Sequence, residues 1–328
     1  MAITKETMQK IYEQIKTPYK IGAVLKDDNF LIDSPSVFKF KDKWYMYYIM
    51  ISKDTNSSGY ETHFASSDNL IDWKYEGKIF ERLENNNWDG RQVAGYAAFV
   101  DNLFGGTNEI QMVNDKYYMS YLGGNLDGYE TDPLSIGLAF SDSPIGKFTR
   151  FEKPVMAPSD ADSREFETVT LYKSDMFIDD AMTIGHKYIN AYNTKAPDGK
   201  ERIYLAVSDD AENWKRYLDT PIIDETVSIQ AIRAGDPQIV KIDDIYVMFY
   251  FRQDKNYAAY NTFACSENLV DWTIWDGEPL VIAEYEWENK YAHKSCVVKH
   301  GGIVYHYYCA VNTKGERFIA LALSEKID

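Results

Sequence analysis

Three cysteines in 328 residues, Cys265, Cys296 and Cys309, are too few and too scattered for a disulfide framework, and no Cys-x-x-Cys pair suits a zinc site. No apolar run approaches the roughly 18–20 residues that a membrane-spanning helix needs. The opening MAITKETMQK has neither the basic nor the apolar region of a signal peptide. A cytoplasmic protein is therefore expected, or a periplasmic or secreted one if a signal has been removed. Positive charge is also short. With 35 Lys and Arg against 51 Asp and Glu, the formal charge is -16, which argues against nucleic acid as a partner. Helical periodicity is nearly absent: only TKETMQKIYEQIK places Met8, Ile11, Tyr12 and Ile15 on one face. That single helix is expected to pack on the body of the protein or to join two copies in a homodimer. Neither a phosphate-cradling loop, nor a Ser-His-Asp nucleophile elbow, nor a zinc motif is present.

Aromatic residues are what the chain has in quantity. The 26 Tyr, 16 Phe and 7 Trp make up 15% of it. Aromatics favour strands and also build the platforms on which sugar rings stack. They recur in order. An aromatic strand closes on Tyr48, Tyr121, Tyr192, Tyr250 and Tyr308, and an Ala-x-Ser segment follows each time, ending at Ser67, Ser141, Ser208, Ser266 and Ser324. An apolar or aromatic residue comes next in most repeats, as in Leu70 with Trp73, Phe148, Trp214, and Leu269 with Trp272. Tight-turn residues separate the strands. Four antiparallel strands repeated five times predict an all-β, five-bladed propeller with a short N-terminal helix. The expected organisation is a helix and lead-in over 1–30 and a single propeller over 31–328.

In a propeller the innermost strand of each blade starts near the central axis, so the first residues of these strands converge. Counting back from the marker tyrosines gives Asp33, Glu109, Asp236 and His293. Blade three has two readings. Either Asp179 and Asp180 start its strand, or the strand is TLYKSDMFI with those aspartates in its turn; the second, preferred here, turns Lys173 to the axis with Glu165 and Glu167 just before it. A structural propeller has no reason to gather carboxylates at its axis, where they repel one another and burial raises their pKa values.

Asp33-Ser-Pro-Ser-Val and Gly235-Asp236-Pro237-Gln238-Ile239, each leading into an aromatic strand, resemble the Asp-Pro motifs of the five-bladed propeller glycoside hydrolases. These include families 43, 32, 117 and 130. The resemblance implies glycosidic bond cleavage by acid/base catalysis in a central pocket, with an oligosaccharide as substrate. It gives Asp33 the part of base or nucleophile and Asp236 that of tuning a pKa or holding sugar hydroxyls. The family 43 acid lies in a Glu-Gly-Pro-like context that this chain lacks, so the acid is left among His293, Glu109 and Glu167. A histidine could donate a proton near neutrality, although Lys294 beside it is an unfavourable cation.

Further sugar contacts are expected from loops. Gly59-Tyr60-Glu61-Thr62 and Gly128-Tyr129-Glu130-Thr131 are the same tetrapeptide after the aromatic strands of blades one and two. Trp88 and Arg91, with Gln92, add a stacking ring and donors. No cofactor is required by these residues, although a divalent cation in the central channel is compatible with them. The short chain suits exo-action on small oligosaccharides. Two alternatives remain: a phosphorylase, for which Lys173, Arg233, Arg252 and Lys294 could bind phosphate, and a non-catalytic sugar-binding propeller.

Overall fold

The computed structural model describes residues 2–54, 58–83, 85–224, 231–256 and 258–327. Helix α1 (Lys5–Ile15) leads into strand β1 (Tyr19–Leu25). Blade one follows as β2 (Phe30–Phe40), β3 (Lys43–Ser52), β4 (Glu61–Ser67) and β5 (Lys74–Phe80). Blade two is β6 (Gln92–Ala97), β7 (Tyr117–Gly124), β8 (Ser135–Ser141) and β9 (Thr149–Arg150). Blade three is β10 (Thr170–Ile178), β11 (Tyr188–Lys195), β12 (Glu201–Ser208) and β13 (Lys215–Tyr217). Blade four is β14 (Ala231–Ile242), β15 (Ile245–Asp254), β16 (Ala259–Ser266) and β17 (Thr273–Ile274). Blade five has β18 (Tyr291–His300), β19 (Ile303–Val311) and β20 (Arg317–Leu323), and takes its fourth strand from the start of the chain.

That fourth strand is β1, which runs antiparallel to β20 with Tyr19 opposite Leu323. Pairing the two chain ends closes the ring and covers an edge that would otherwise be open. The lead-in expected over 1–30 is therefore partly a blade strand. Helix α1 is capped by Thr4, whose hydroxyl accepts from the Thr7 amide at 3.2 Å. Its Met8, Ile11 and Ile15 are buried in the same core cluster as Val247, Phe249, Phe263 and Phe318, and Tyr12 stacks on Trp275 at 5.1 Å. The apolar face expected to join two copies is thus occupied within its own chain.

The repeat markers form the core. Tyr48, Tyr121, Tyr192, Tyr250 and Tyr308 are all buried between blades. Hairpins turn through left-handed residues, Lys41 with Asp42 in blade one and Asn114 with Asp115 in blade two, as the right-handed strand twist requires.

One local irregularity positions the site. The innermost strands of blades one, three, four and five each slip register against their neighbour at the same level, between Asp33 and Ser36, Leu171 and Ser174, Gly235 and Gln238, and His293 and Cys296. Such a bulge turns extra side chains toward the axis. Within three of these bulges Ser34, Asp236 and Lys294 have φ of 50°, 53° and 56°. Non-glycine residues in the left-handed region carry strain, which concentrates at functional sites. In blade two β6 pairs with β7 in unbroken register.

Candidate active site

The bulges surround a cavity of about 280 Å³ at the end of the axis where the innermost strands begin. Asp236, His293 and Lys294 come to it from the bulges of β14 and β18, and Tyr172 from β10. The third strands of blades three and five supply their first residues, Glu201 and Arg317. Tyr129 and Glu130 reach in from the loop between β7 and β8, with Glu130 at φ 52°. Gln92 holds this loop from below by donating to the carbonyls of Leu126 at 2.9 Å and Thr131 at 3.2 Å.

Asp33 lies behind this wall, 1% exposed. Its Oδ1 accepts the Ser34 amide at 2.8 Å. Its Oδ2 accepts the Tyr129 hydroxyl at 2.5 Å, Arg317 Nη1 at 2.6 Å and Lys294 Nζ at 3.1 Å. Burial alone would raise its pKa, but Lys294, Arg317 and His293, with the Tyr129 hydrogen bond, hold the carboxyl well below the usual carboxylate range. A carboxylate so saturated is a weak base. Asp33 is the anchor on which Lys294, Arg317 and Tyr129 are set.

Two other carboxyls are displaced the opposite way. Burial lifts Glu201 to about 8, against the pull of Arg233 and with the repulsion of Glu130 and Asp236 added. Arg233 Nε lies 2.9 Å from Glu201 Oε1, but the arginine is 31% exposed, so water screens its attraction. Burial also lifts Asp236 to about 6, opposed by Lys294 and Lys173. Asn193 ties the two acids together: its Nδ2 donates to Glu201 at 3.2 Å, and its Oδ1 accepts the Asp236 amide at 3.2 Å. Glu130 is ion-paired with Lys294 at 2.6 Å. The cavity thus gathers three carboxyl groups whose surroundings differ, the arrangement that separates acid and base roles.

Several sequence-derived candidates stand elsewhere. His293 lines the cavity, but burial, Arg317 and Lys294 push its pKa well below that of free histidine, so it is a neutral imidazole and cannot be the proton donor. Glu109 is exposed. It sits on an insertion after β6 that closes the far end of the axis, bridging Lys39 of blade one, while the neighbouring Leu103 bridges Lys241 of blade four. The count back from Tyr121 ran into this insertion and missed the true innermost strand, β6. Glu167 is buried against Arg216 at 2.5 Å and accepts the Tyr192 hydroxyl at 2.8 Å, so it stabilises blade three rather than binding sugar. Glu61 faces Lys78 at 2.8 Å, and Tyr60 is buried behind Tyr129. Trp88 stacks on Tyr121 and donates to the Glu152 carbonyl. Arg91 abuts Gly59 through its backbone, and neither it nor Trp88 lines the cavity.

Lys173 is on β10, as the preferred reading of blade three requires, and Asp179 follows that strand. Its buried ammonium lies below the catalytic cavity, donating to the Ser295 carbonyl at 3.4 Å. The four cations considered for phosphate do not converge: Arg233 and Lys294 line the cavity, Lys173 lies beneath it, and Arg252 lines a neighbouring groove.

Among the described residues, one group has metal-ligand spacing on the axis: Asp33, His293 and Cys309, with donor atoms within 4.8 Å of one another. It does not fit a divalent cation. Arg317 Nη1 lies 2.6 Å from Asp33 and 3.6 Å from the Cys309 sulfur, Lys294 adds a second positive charge, and burial raises the Cys309 thiol.

Glu201 and Arg317 were not found from the sequence, yet the repeat contains the signal. Each stands five residues before the alanine of an Ala-x-Ser segment, Ala206 and Ala322, as Ala259 stands before Ala264. All three line the cavity.

Known proteins bear this geometry out at the level of fold and family. A solved structure of a BT0996 complex with RGII is 38% identical, covers 99% of this chain and 96% of its own, and superposes with a TM-score of 0.93. A family 117 glycoside hydrolase, Zg3597 from Zobellia galactanivorans, is 16% identical over 95% of this chain and 91% of its own, with a TM-score of 0.67, and shares the fold. A 1,2-beta-oligomannan phosphorylase of Thermoanaerobacter sp. (strain X514) is 33% identical over 134 residues, a match spanning 37% of this chain and 41% of that relative. The model of glycosyl hydrolases family 43 matches residues 28–323, nearly the whole propeller. The chain belongs to glycosyl hydrolases family 43.

Proposed function

We propose that this glycoside hydrolase removes a terminal sugar unit, with Glu201 as the general acid and Glu130 as the opposing carboxylate. The observation that carries this reading is Glu201, a cavity-lining carboxyl raised to about 8 and so still holding its proton at neutrality. A sugar alkoxide leaves only when its oxygen is protonated, which Glu201 does. Glu130, held by Lys294, attacks the anomeric carbon or activates the water that does. Asp236 and the ionised groups around it stabilise the oxocarbenium-like charge. Asp33 fixes the cations and Tyr129 without touching the reacting atoms. No metal takes part, since Lys294 and Arg317 already supply the positive charge at the axis. A cavity of about 280 Å³ suits one ring, which supports exo-action.

The test is Glu201→Gln on two classes of substrate. Oligosaccharides with poor leaving groups should slow by about 10²–10⁴, and nitrophenyl glycosides far less. The alkaline limb near pH 8 should vanish with the carboxyl. Equal losses on both classes would remove Glu201 from the acid role. RGII, named with the 38% identical structure, is the first substrate to try.

A further inference from the structure

We propose that a groove between blades four and five, beside the catalytic cavity, binds the sugar unit on the leaving-group side of the scissile bond. This rests on the glycosidase reading above and adds a place for the rest of the substrate.

The groove has a volume of about 610 Å³ and opens on the face where the innermost strands begin. It and the cavity share Ala259, and consecutive residues divide between them. Arg252 lines the groove and Gln253 the cavity; Lys290 lines the groove and Tyr291 the cavity. Neighbouring residues on a strand point to opposite sides, so the strand ends form a partition between the two spaces. At Ala259 the partition carries only a methyl group. A sugar chain whose terminal ring is in the cavity can cross there and continue into the groove.

The groove is built in advance. Its Trp275 is held between Tyr12 at 5.1 Å and Phe263 at 5.3 Å, and its indole N–H donates to the Glu278 carbonyl at 2.8 Å. A Cβ on Gly277 would come within 2.2 Å of the Trp275 ring, so that turn can only be glycine. The outer wall is tied down by Glu288, fully buried, which pairs with Lys20 at 2.5 Å and accepts the Tyr308 hydroxyl at 2.7 Å. Lys20 also donates to the Ile282 carbonyl. Both faces of Trp275 are taken, so it supports the groove rather than stacking on a ligand. The lining joins an apolar floor of Pro279, Ile282 and Ala283 to a polar rim of Asp276, Asn289 and Lys290. Apolar C–H faces edged by hydroxyls are what a sugar ring presents, and this lining matches both.

Ile282 is 39% exposed and outside the catalytic cavity, so Ile282→Trp should fill the groove without unfolding the protein. The probes are a glycosyl fluoride, whose leaving group leaves the groove empty, and an oligosaccharide of the same terminal sugar. Ile282→Trp should leave the fluoride reaction unchanged and raise KM for the oligosaccharide about tenfold, the loss of a modest set of contacts. Ile282→Ala, which cannot overpack, should raise the same KM by a smaller factor. Unchanged kinetics on both substrates, or equal loss on both, would overturn the groove while leaving the glycosidase reading intact. A wild-type protein that cleaves neither probe would overturn that reading, and this inference with it.

Discussion

The same four residues, Gly-Tyr-Glu-Thr, occur at 59–62 and at 128–131, and the fold uses them in opposite ways. In the first copy the segment runs into β4, so strand alternation decides each direction. Tyr60 points inward and is buried, Glu61 points out to Lys78, and Thr62 bonds to blade two, donating to the Val93 carbonyl at 3.0 Å and accepting the Gly95 amide at 2.7 Å. In the second copy Gly128 and Glu130 have φ of 122° and 52°, which breaks the alternation. Tyr129 and Glu130 then both turn to the axis, onto Asp33 and Lys294. The copies even touch, with the Gly128 amide donating to the Ser58 carbonyl at 2.8 Å and the Tyr60 and Tyr129 rings edge to face at 5.4 Å. Identical chemistry becomes structural on a strand and catalytic on a loop.

The largest effect should come from the two glutamates. Glu130→Gln keeps the shape and removes the carboxylate that faces the anomeric carbon, so kcat should fall by about 10²–10⁴. Glu61→Gln removes only a partly exposed pair with Lys78, and kcat should stay within about twofold, with stability changed by about 1 kcal/mol or less. Comparable losses in both variants would erase the distinction between the copies.

This contrast marks how far the sequence could be read. Blades, marker tyrosines and hairpins were legible because each repeats a period that packing enforces. The axis was legible only in part, because a bulge shifts register without altering the hydrophobic pattern. Asp33 and His293 do occupy equivalent positions, opposite Ile49 and Cys309, but Asp236 stands one residue further along, equivalent to Ser34 and Lys294. Glu109 was misplaced because blade two has no bulge and carries an insertion between its first two strands. Nothing in the tetrapeptide itself shows which copy leaves the strand; that depends on backbone angles set by the loop around it.

An effect of intermediate size concerns the residue that stands in blade three where Tyr60 stands in blade one, five residues before the alanine of Ala-x-Ser. That residue is Glu201, and its folded pKa of about 8 lies above the unfolded value of about 4.3. Between those two values the folded state binds the extra proton, so stability falls as pH rises through that window. Glu201→Gln removes the titration. Urea midpoints measured from pH 5 to 9 should decline for the wild type and run flatter for the variant, which becomes the more stable of the two near pH 8. Parallel curves would mean that Glu201 is not held protonated by the fold.

The smallest effect is the sharpest comparison, because one oxygen atom is removed from each copy. The Tyr129 hydroxyl donates to Asp33 at 2.5 Å and accepts from Arg317 at 2.5 Å. Tyr129→Phe therefore withdraws a donor from a buried charge and should cost about 1.5–3 kcal/mol at pH 7. The Tyr60 hydroxyl is buried with no hydrogen-bond partner among the described residues. Tyr60→Phe then relieves an unmet desolvation, so stability should be unchanged or slightly raised. The edge-to-face ring contact survives in both variants and cancels from the comparison. The pH dependence has a definite sign. With its folded pKa depressed, Asp33 contributes stability above its unfolded value of about 3.9, and this is lost as pH falls toward the folded value. The cost of Tyr129→Phe should shrink over that acid range, while Tyr60→Phe should track the wild type throughout. A cost for Tyr129→Phe that does not shrink in acid would assign it to packing, and the second copy would then be structural as well.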